Sequence, residues 1–177
     1  MALIPRPQNR VPWVPDTWTP LDFGKHIGKT LPQVIFDDPD WFFNAYEKGY
    51  FKNRDNLRAE ANEVYERATS IRIPPAETER MVVEYRFDRE SHRFSNVEIM
   101  PADRPPHSGA SLTERFDRFD LSYLRGKKEY DKSGYDNLLS SMKACFFGDP
   151  SYRMTKARCE EFFSDNERFI FRRPPPA

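Results

Sequence analysis

Thiols and imidazoles are scarce in this chain. Cys145 and Cys159 are its only cysteines, and His26, His92 and His107 its only histidines. None stands at metal-ligand spacing from another, so the sequence encodes no metal site and no cofactor is expected. Both cysteines fall in helix-like segments near phenylalanines, where a free thiol packs as a small hydrophobe, so buried free thiols are favoured over a disulfide. Neither has the polar, basic setting of a nucleophile, and no Ser-His-Asp or Cys-His set is suggested. An excess of one charge is also lacking: 28 basic residues balance 28 acidic ones. No global field therefore steers a polyanion toward the molecule, and any such contact must rest on a local patch. There is no long apolar run, signal peptide or lipidation motif, which points to a cytoplasmic protein without a membrane partner.

What the chain has in quantity is rings and prolines. Its 177 residues carry 15 Phe, 8 Tyr, 3 Trp and 16 Pro. That length suits one domain, able to bury roughly two thirds of its unfolded surface. Aromatic side chains bury the most area each, so the core is expected to be rich in Phe.

Five prolines in residues 1–20, with Trp13 and Trp18 between them, predict an extended arm. Such an arm packs along the domain by its Trp rings, or offers Trp13 and Trp18 as anchors to a partner protein. Residues 21–31 read as two very short strands around a Gly turn. Asp38-Pro39-Asp40 is a strong helix start, with Asp38 as cap, Pro39 at the first helical position and Asp40 facing the dipole. Trp41, Phe42, Ala45 and Tyr46 follow at helical spacing up to Gly49. A second helix is expected from about Asp55 to Thr69, on the stripe Leu57, Ala61, Val64, Tyr65 and Ala68.

Residues 80–100 alternate as a β-hairpin. Met81, Val83, Tyr85 and Phe87 share one face, the turn lies within Asp88–Arg93, and Val97 and Ile99 sit on the return strand. The prolines of 101–113 suggest a loop, and Phe116–Tyr123 is open between strand and irregular structure. Two helices close the chain, about Ser133–Phe147 and Thr155–Ser164, with a short strand at Phe169 and Phe171 before the RRPPPA tail. The expected architecture is α+β: arm 1–20, a Gly-Lys turn with two helices over 21–72, and a hairpin plus helical pair over 73–177, packed as one domain.

The most unusual string is Phe23-Gly24-Lys25-His26-Ile27-Gly28-Lys29-Thr30-Leu31. Two glycines four apart let the backbone turn tightly and expose amides, while Lys25, His26 and Lys29 place three donors within five residues. Amides and ammonium groups together make a phosphate contact. A P-loop is excluded by spacing, since no helix is expected directly after Lys29. With the aromatic helix behind it, the string resembles the small C-terminal module of exodeoxyribonuclease X and of related short proteins of unknown function. Phe23, Gly24, Lys25, His26, Gly28, Lys29 and Leu31 match its F-G-K-[HY]-K-G-K/R-x-L pattern. Trp41 and Phe42 stand at its aromatic helix positions, and the helix from Asp55 to Thr69 corresponds to the second helix of the short proteins. Ile27 departs from the usual basic residue. The resemblance covers about residues 21–69 and implies a non-catalytic accessory module that contacts nucleic acid.

Arg125-Gly126-Lys127-Lys128, flanked by Tyr123 and Tyr130, is a second basic and aromatic cluster. It reads either as a solvated loop or as single-strand contacts through Arg125, Lys127 and Lys128. Arg172 and Arg173 extend that surface or solubilise a tail. Glu84, Asp88, Glu90 and Glu98 on the hairpin invite comparison with metal-dependent nucleases. Those need converging carboxylates and usually a Lys close behind, which neither Glu84 nor Glu98 has. The leading expectation is a nucleic-acid-binding accessory protein for DNA or RNA. A protein-interaction factor using the Trp arm is the alternative, and a divergent nuclease the third. The sequence sets no oligomeric state.

Overall fold

The computed structural model describes residues 12–74, 79–109, 111–128 and 130–171. Its helices are α1 (Leu31–Asp37), α2 (Pro39–Glu47), α3 (Asp55–Ala68), α4 (Gly134–Phe147) and α5 (Lys156–Ser164). Its strands are β1 (Ile71–Arg72), β2 (Met81–Asp88), β3 (Phe94–Pro101), β4 (Ser111–Phe116) and β5 (Arg118–Phe119). The fold is α+β, as the periodicities predict. Three strands form an antiparallel sheet in the order β3-β2-β4, and β1 pairs with β5 in a second small sheet. α4 packs against β3, while α1 packs against α2, α3 and α5.

The anticipated core is present. Phe36, Phe42, Phe43, Phe51, Phe87, Phe119, Phe162, Phe163 and Phe169 are buried in one cluster that draws on both halves of the chain. Each full burial is worth about 1.5–3 kcal/mol, so these rings dominate cohesion. Ile71 ties the ends together, paired with Phe119 on β5 and bridged to Phe169. The short strand expected at Phe169 and Phe171 is thus reduced to a single bridge at Phe169.

Several expectations are corrected. Residues 21–30 form turns and bends rather than two strands, and a helix starts at Leu31. The cause is a start signal of its own: the Gln33 side chain accepts the Thr30 amide at 2.9 Å, and Pro32 sits in the first turn. A helix does therefore follow Lys29 closely; the string still differs from a P-loop in having three residues between its glycines where that motif has four. Ser111–Phe116 is a third strand rather than the end of a loop, because β2 presents its second edge to it, from Val83↔Phe116 to Asp88↔Ser111. The hairpin forms with its turn at Asp88–Arg93 as expected, closed by the Asp88 amide on the Arg93 carbonyl at 2.8 Å, and its register sets Glu84 opposite Glu98.

Of the predicted arm, residues 1–11 lie outside the described residues, and the rest is tied down along α3 and α5. Trp18 is 5% exposed and donates its indole N–H to Ser164 Oγ at 3.2 Å. The Glu60 carboxylate accepts the Thr19 amide at 3.1 Å and its hydroxyl at 2.8 Å. Buried Arg67 joins Glu63 at 2.9 Å and Asn166 at 2.7 Å, and also reaches the Trp13 carbonyl. A polar seam in α3 therefore holds the strap down. Among the described residues no helix is long and apolar enough to cross a membrane.

Candidate functional site

Between Leu21 and Lys29 the chain closes on itself. The Leu21 amide donates to the Lys29 carbonyl and the Gly28 amide to the Leu21 carbonyl, both at 2.9 Å. Gly24 and Gly28 sit at φ +74° and +84°, a region open chiefly to glycine. At Gly24 space matters as well, since a Cβ there would lie 2.7 Å from Trp41 Cζ2. The rings of this segment face inward. Phe23 packs on Trp41 and Phe51 with centroids 6.1 and 5.8 Å away, and His26 sets its edge on Trp41 at 5.1 Å. Arg54 lies over the ring of Phe23 at 4.1 Å and bonds Asp22 at 3.0 Å. The loop is a closed knuckle, and Ile27 stands at the tip of its last turn, where the Lys29 amide donates to the His26 carbonyl at 3.0 Å.

The acidic start of α2 organises the cations around it. Asp38 caps the helix by accepting the Trp41 amide at 3.2 Å. The same carboxylate meets Lys25 at 2.5 Å, His26 Nε2 at 3.1 Å and Lys132 at 3.6 Å. A carboxylate only accepts, so Nε2 of His26 carries its hydrogen in this contact. Burial alone would raise the Asp38 carboxyl, but the hydrogen bonds from Lys25, His26 and the Trp41 amide outweigh it and hold it at about 2. In return the hydrogen bond to Asp38 raises Lys25. Lys29 pairs with Asp37 at 2.6 Å.

Asp40 accepts Arg125 at 2.6 Å and the Tyr130 hydroxyl at 2.8 Å, and Arg125 also reaches Glu47 at 2.9 Å. The two basic segments singled out in the sequence, about 100 residues apart, thus meet at one helix cap. Lys25, Lys29 and Lys132 keep 54%, 44% and 59% of their side chains exposed, whereas Arg125 keeps 18%. Three ammonium groups therefore face solvent around the knuckle, and Arg125 serves as a tie between elements. Four cations here (Lys25, Lys29, Arg125, Lys132) meet four carboxylates (Asp37, Asp38, Asp40, Glu47).

The remaining predicted residues lie apart from this cluster or are already engaged. Lys127 pairs with Glu114 at 2.6 Å and stands over the rings of Tyr123 and Phe87 at 4.6 and 5.1 Å. Lys128 is exposed. Trp18 is consumed by the core and cannot serve as a partner anchor; Trp13 remains 42% exposed. Arg172 and Arg173 lie outside the described residues. Lys132 was not anticipated, and its only sequence signal is its position two residues beyond Tyr130.

The hairpin carboxylates do not converge. Glu84 is fully buried and accepts Arg86 at 3.0 Å and Arg115 at 2.9 Å, while Arg86 crosses to Glu98 at 2.5 Å. Burial would raise Glu84, but the bonds from Arg115 and Arg86 prevail and lower it. Asp88 is spent on its turn, accepting the Ser91 amide at 2.7 Å, and Glu90 is exposed. Among the described residues no group of three or more His, Cys, Asp or Glu could hold a metal ion. Both cysteines are free. Burial pushes the Cys159 thiol up to about 12, and Cys145, half-buried, is raised by the same cause.

No family model, no curated protein and no solved structure matches the chain. The resemblance of residues 21–69 therefore stands on its motif alone.

Proposed function

We propose that this protein is a nucleic-acid-contacting accessory factor that grips the phosphate backbone with the Gly-Lys knuckle. The observation that carries the reading is the convergence of Lys25, Lys29 and Lys132 on the neighbouring carboxylates of Asp37 and Asp38, each lysine side chain about half exposed. Each ammonium has three donors, and its pairing with Asp37 or Asp38 positions it without using all three. The Lys29–Asp37 pair is exposed on both sides, and such pairs are worth about 0–1 kcal/mol, so a phosphate can take the place of Asp37 at little cost. No catalytic step is assigned to the chain. The test is fluorescence anisotropy with labelled single- and double-stranded DNA and RNA across a salt series. Binding in the roughly micromolar range that weakens steeply with salt is expected. Charge reversal at Lys25 and Lys29 that left the affinity unchanged would refute it.

A second reading, a protein-interaction factor, is favoured by Trp13. Its exposed ring borders a cavity of about 380 Å³ between the arm and α3, lined also by Val14, Thr17, Asn56 and Ala59. Removing the whole arm would take Trp18 out of the core, so the informative variant is Trp13→Ala. A complex formed without nucleic acid and lost in Trp13→Ala would favour this reading.

A further inference from the structure

Ile27 is 66% exposed, above Tyr50 at 44%, Trp13 at 42% and Phe116 at 39%. It is the most exposed large hydrophobic side chain among the described residues. A scattered apolar residue on a surface is ordinary. This one differs in its setting. It occupies the tip of a loop closed by paired backbone bonds, and Lys25 and Lys29 flank it at equal sequence distance on either side. Aromatic packing behind it, Trp41 against Gly24 and His26, keeps the tip from folding back.

Resting on the phosphate-grip reading, we infer that Ile27 is a wedge that enters a base step of duplex DNA while Lys25 and Lys29 hold the phosphates beside it. Three features support this. First, the tip is aliphatic. Single-strand binders stack bases on exposed rings; here Phe23, His26 and Trp41 are half-buried against one another and the exposed Tyr50 sets its ring on Phe23 at 6.5 Å, so the residue at the turn itself is aliphatic. Proteins that unstack duplex DNA insert Ile, Leu, Phe, Met or Pro between base pairs. Second, a Cβ added at Gly28 would meet no atom within 4 Å, so the side of the tip is slim and open to a groove wall. Third, the knuckle is already closed by backbone bonds and packed on Trp41, so insertion costs little ordering of the protein. The cost falls on the DNA, a few kcal/mol of lost stacking, and a mismatched step lowers it.

The experiment uses the full chain and end-labelled duplexes of about 20 base pairs, matched or carrying one central mismatch, read by anisotropy and by energy transfer between the ends. Wild type is expected to shorten the end-to-end distance and to bind the mismatched duplex roughly tenfold more tightly. Ile27→Ala should weaken binding to the mismatched duplex, leave the ends unbent and erase the preference. Ile27→Leu should retain both. Because no charge changes, Ile27→Ala keeps the salt slope, so loss of bending with that slope intact isolates the wedge from the phosphate grip. Equal bending by wild type and Ile27→Ala would overturn the wedge, as would binding to single strands alone. Absence of any binding at low salt would overturn the phosphate grip itself, and the wedge with it.

Discussion

Replacing Lys25 and Lys29 together by glutamine should flatten the salt dependence of nucleic-acid binding, by an amount the geometry sets. Three ammonium groups face solvent at the knuckle, those of Lys25, Lys29 and Lys132. If each neutralises one phosphate of B-DNA, log K falls against log salt with a slope of about −2.7, and one remaining contact gives about −0.9. Between about 50 and 200 mM salt the native protein then loses affinity about 40-fold and the double variant about 3- to 4-fold. The fold should survive, since the exposed Lys29–Asp37 pair contributes at most about 1 kcal/mol and Lys25 is only one of several partners of Asp38. Asp38 also keeps His26 and the Trp41 amide after the change. Anisotropy with one labelled duplex at four or so salt concentrations reads both slopes, and far-ultraviolet dichroism confirms the fold. Parallel lines for the two proteins would refute the reasoning, because the charges that bind would then lie elsewhere.

Gly24→Ala should cost more stability in urea unfolding than Gly28→Ala. Both bear the roughly 1–2 kcal/mol of a left-handed residue, but only the Gly24 methyl meets Trp41, at 2.7 Å. Trp18→Ala should destabilise by about 3–5 kcal/mol, and Trp13→Ala by far less, since one ring is buried and the other exposed. Asp38, held at about 2 against its ordinary 3.8, contributes stability above the ordinary value that is lost as the pH falls through 2. Asparagine still caps a helix, so Asp38→Asn should be less stable than native at neutral pH through lost charge alone. That gap in urea midpoint should close on acidification toward pH 2, and a constant gap would contradict the pairing. Asp37→Asn releases Lys29 without touching the α2 cap, and should tighten DNA binding up to about fivefold, the equivalent of about 1 kcal/mol. Weaker binding in that variant would mean that the Lys29–Asp37 pair itself is the recognised feature.

Local rules were legible where local chemistry decides. The Asp38 cap, the Asp55 helix, the hairpin with its turn and the two closing helices all follow from spacing of apolar and capping residues, and all stand in the structure. The misses have a common physical cause. α1 is only seven residues long, and its Thr30–Gln33 start was masked by a glycine turn that read as strand. β4 depends on an edge offered by β2, a partner that its own residues do not encode. Glu84 alternates correctly onto the hairpin's second face, yet that face is covered, and two guanidinium groups replace the solvent a carboxylate would otherwise need.

The site shows the same division. The donors of the knuckle could be named from the string, but what they touch could not. Asp38 and Asp40 looked like helix-start chemistry, and they are, whereas Asp37 is the last residue of α1; the three carboxylates together gather Lys25, Lys29, Lys132 and Arg125 from two distant segments. A chain with no net charge can still present cations to a polyanion in this way. The acidic cap fixes where the ammonium groups stand, and on the proposed reading it is the exposed Lys29–Asp37 pair for which a phosphate competes most readily. Such a surface trades affinity for position. It would bind weakly by charge alone, and selectivity would have to come from what stands at the tip, which here is Ile27.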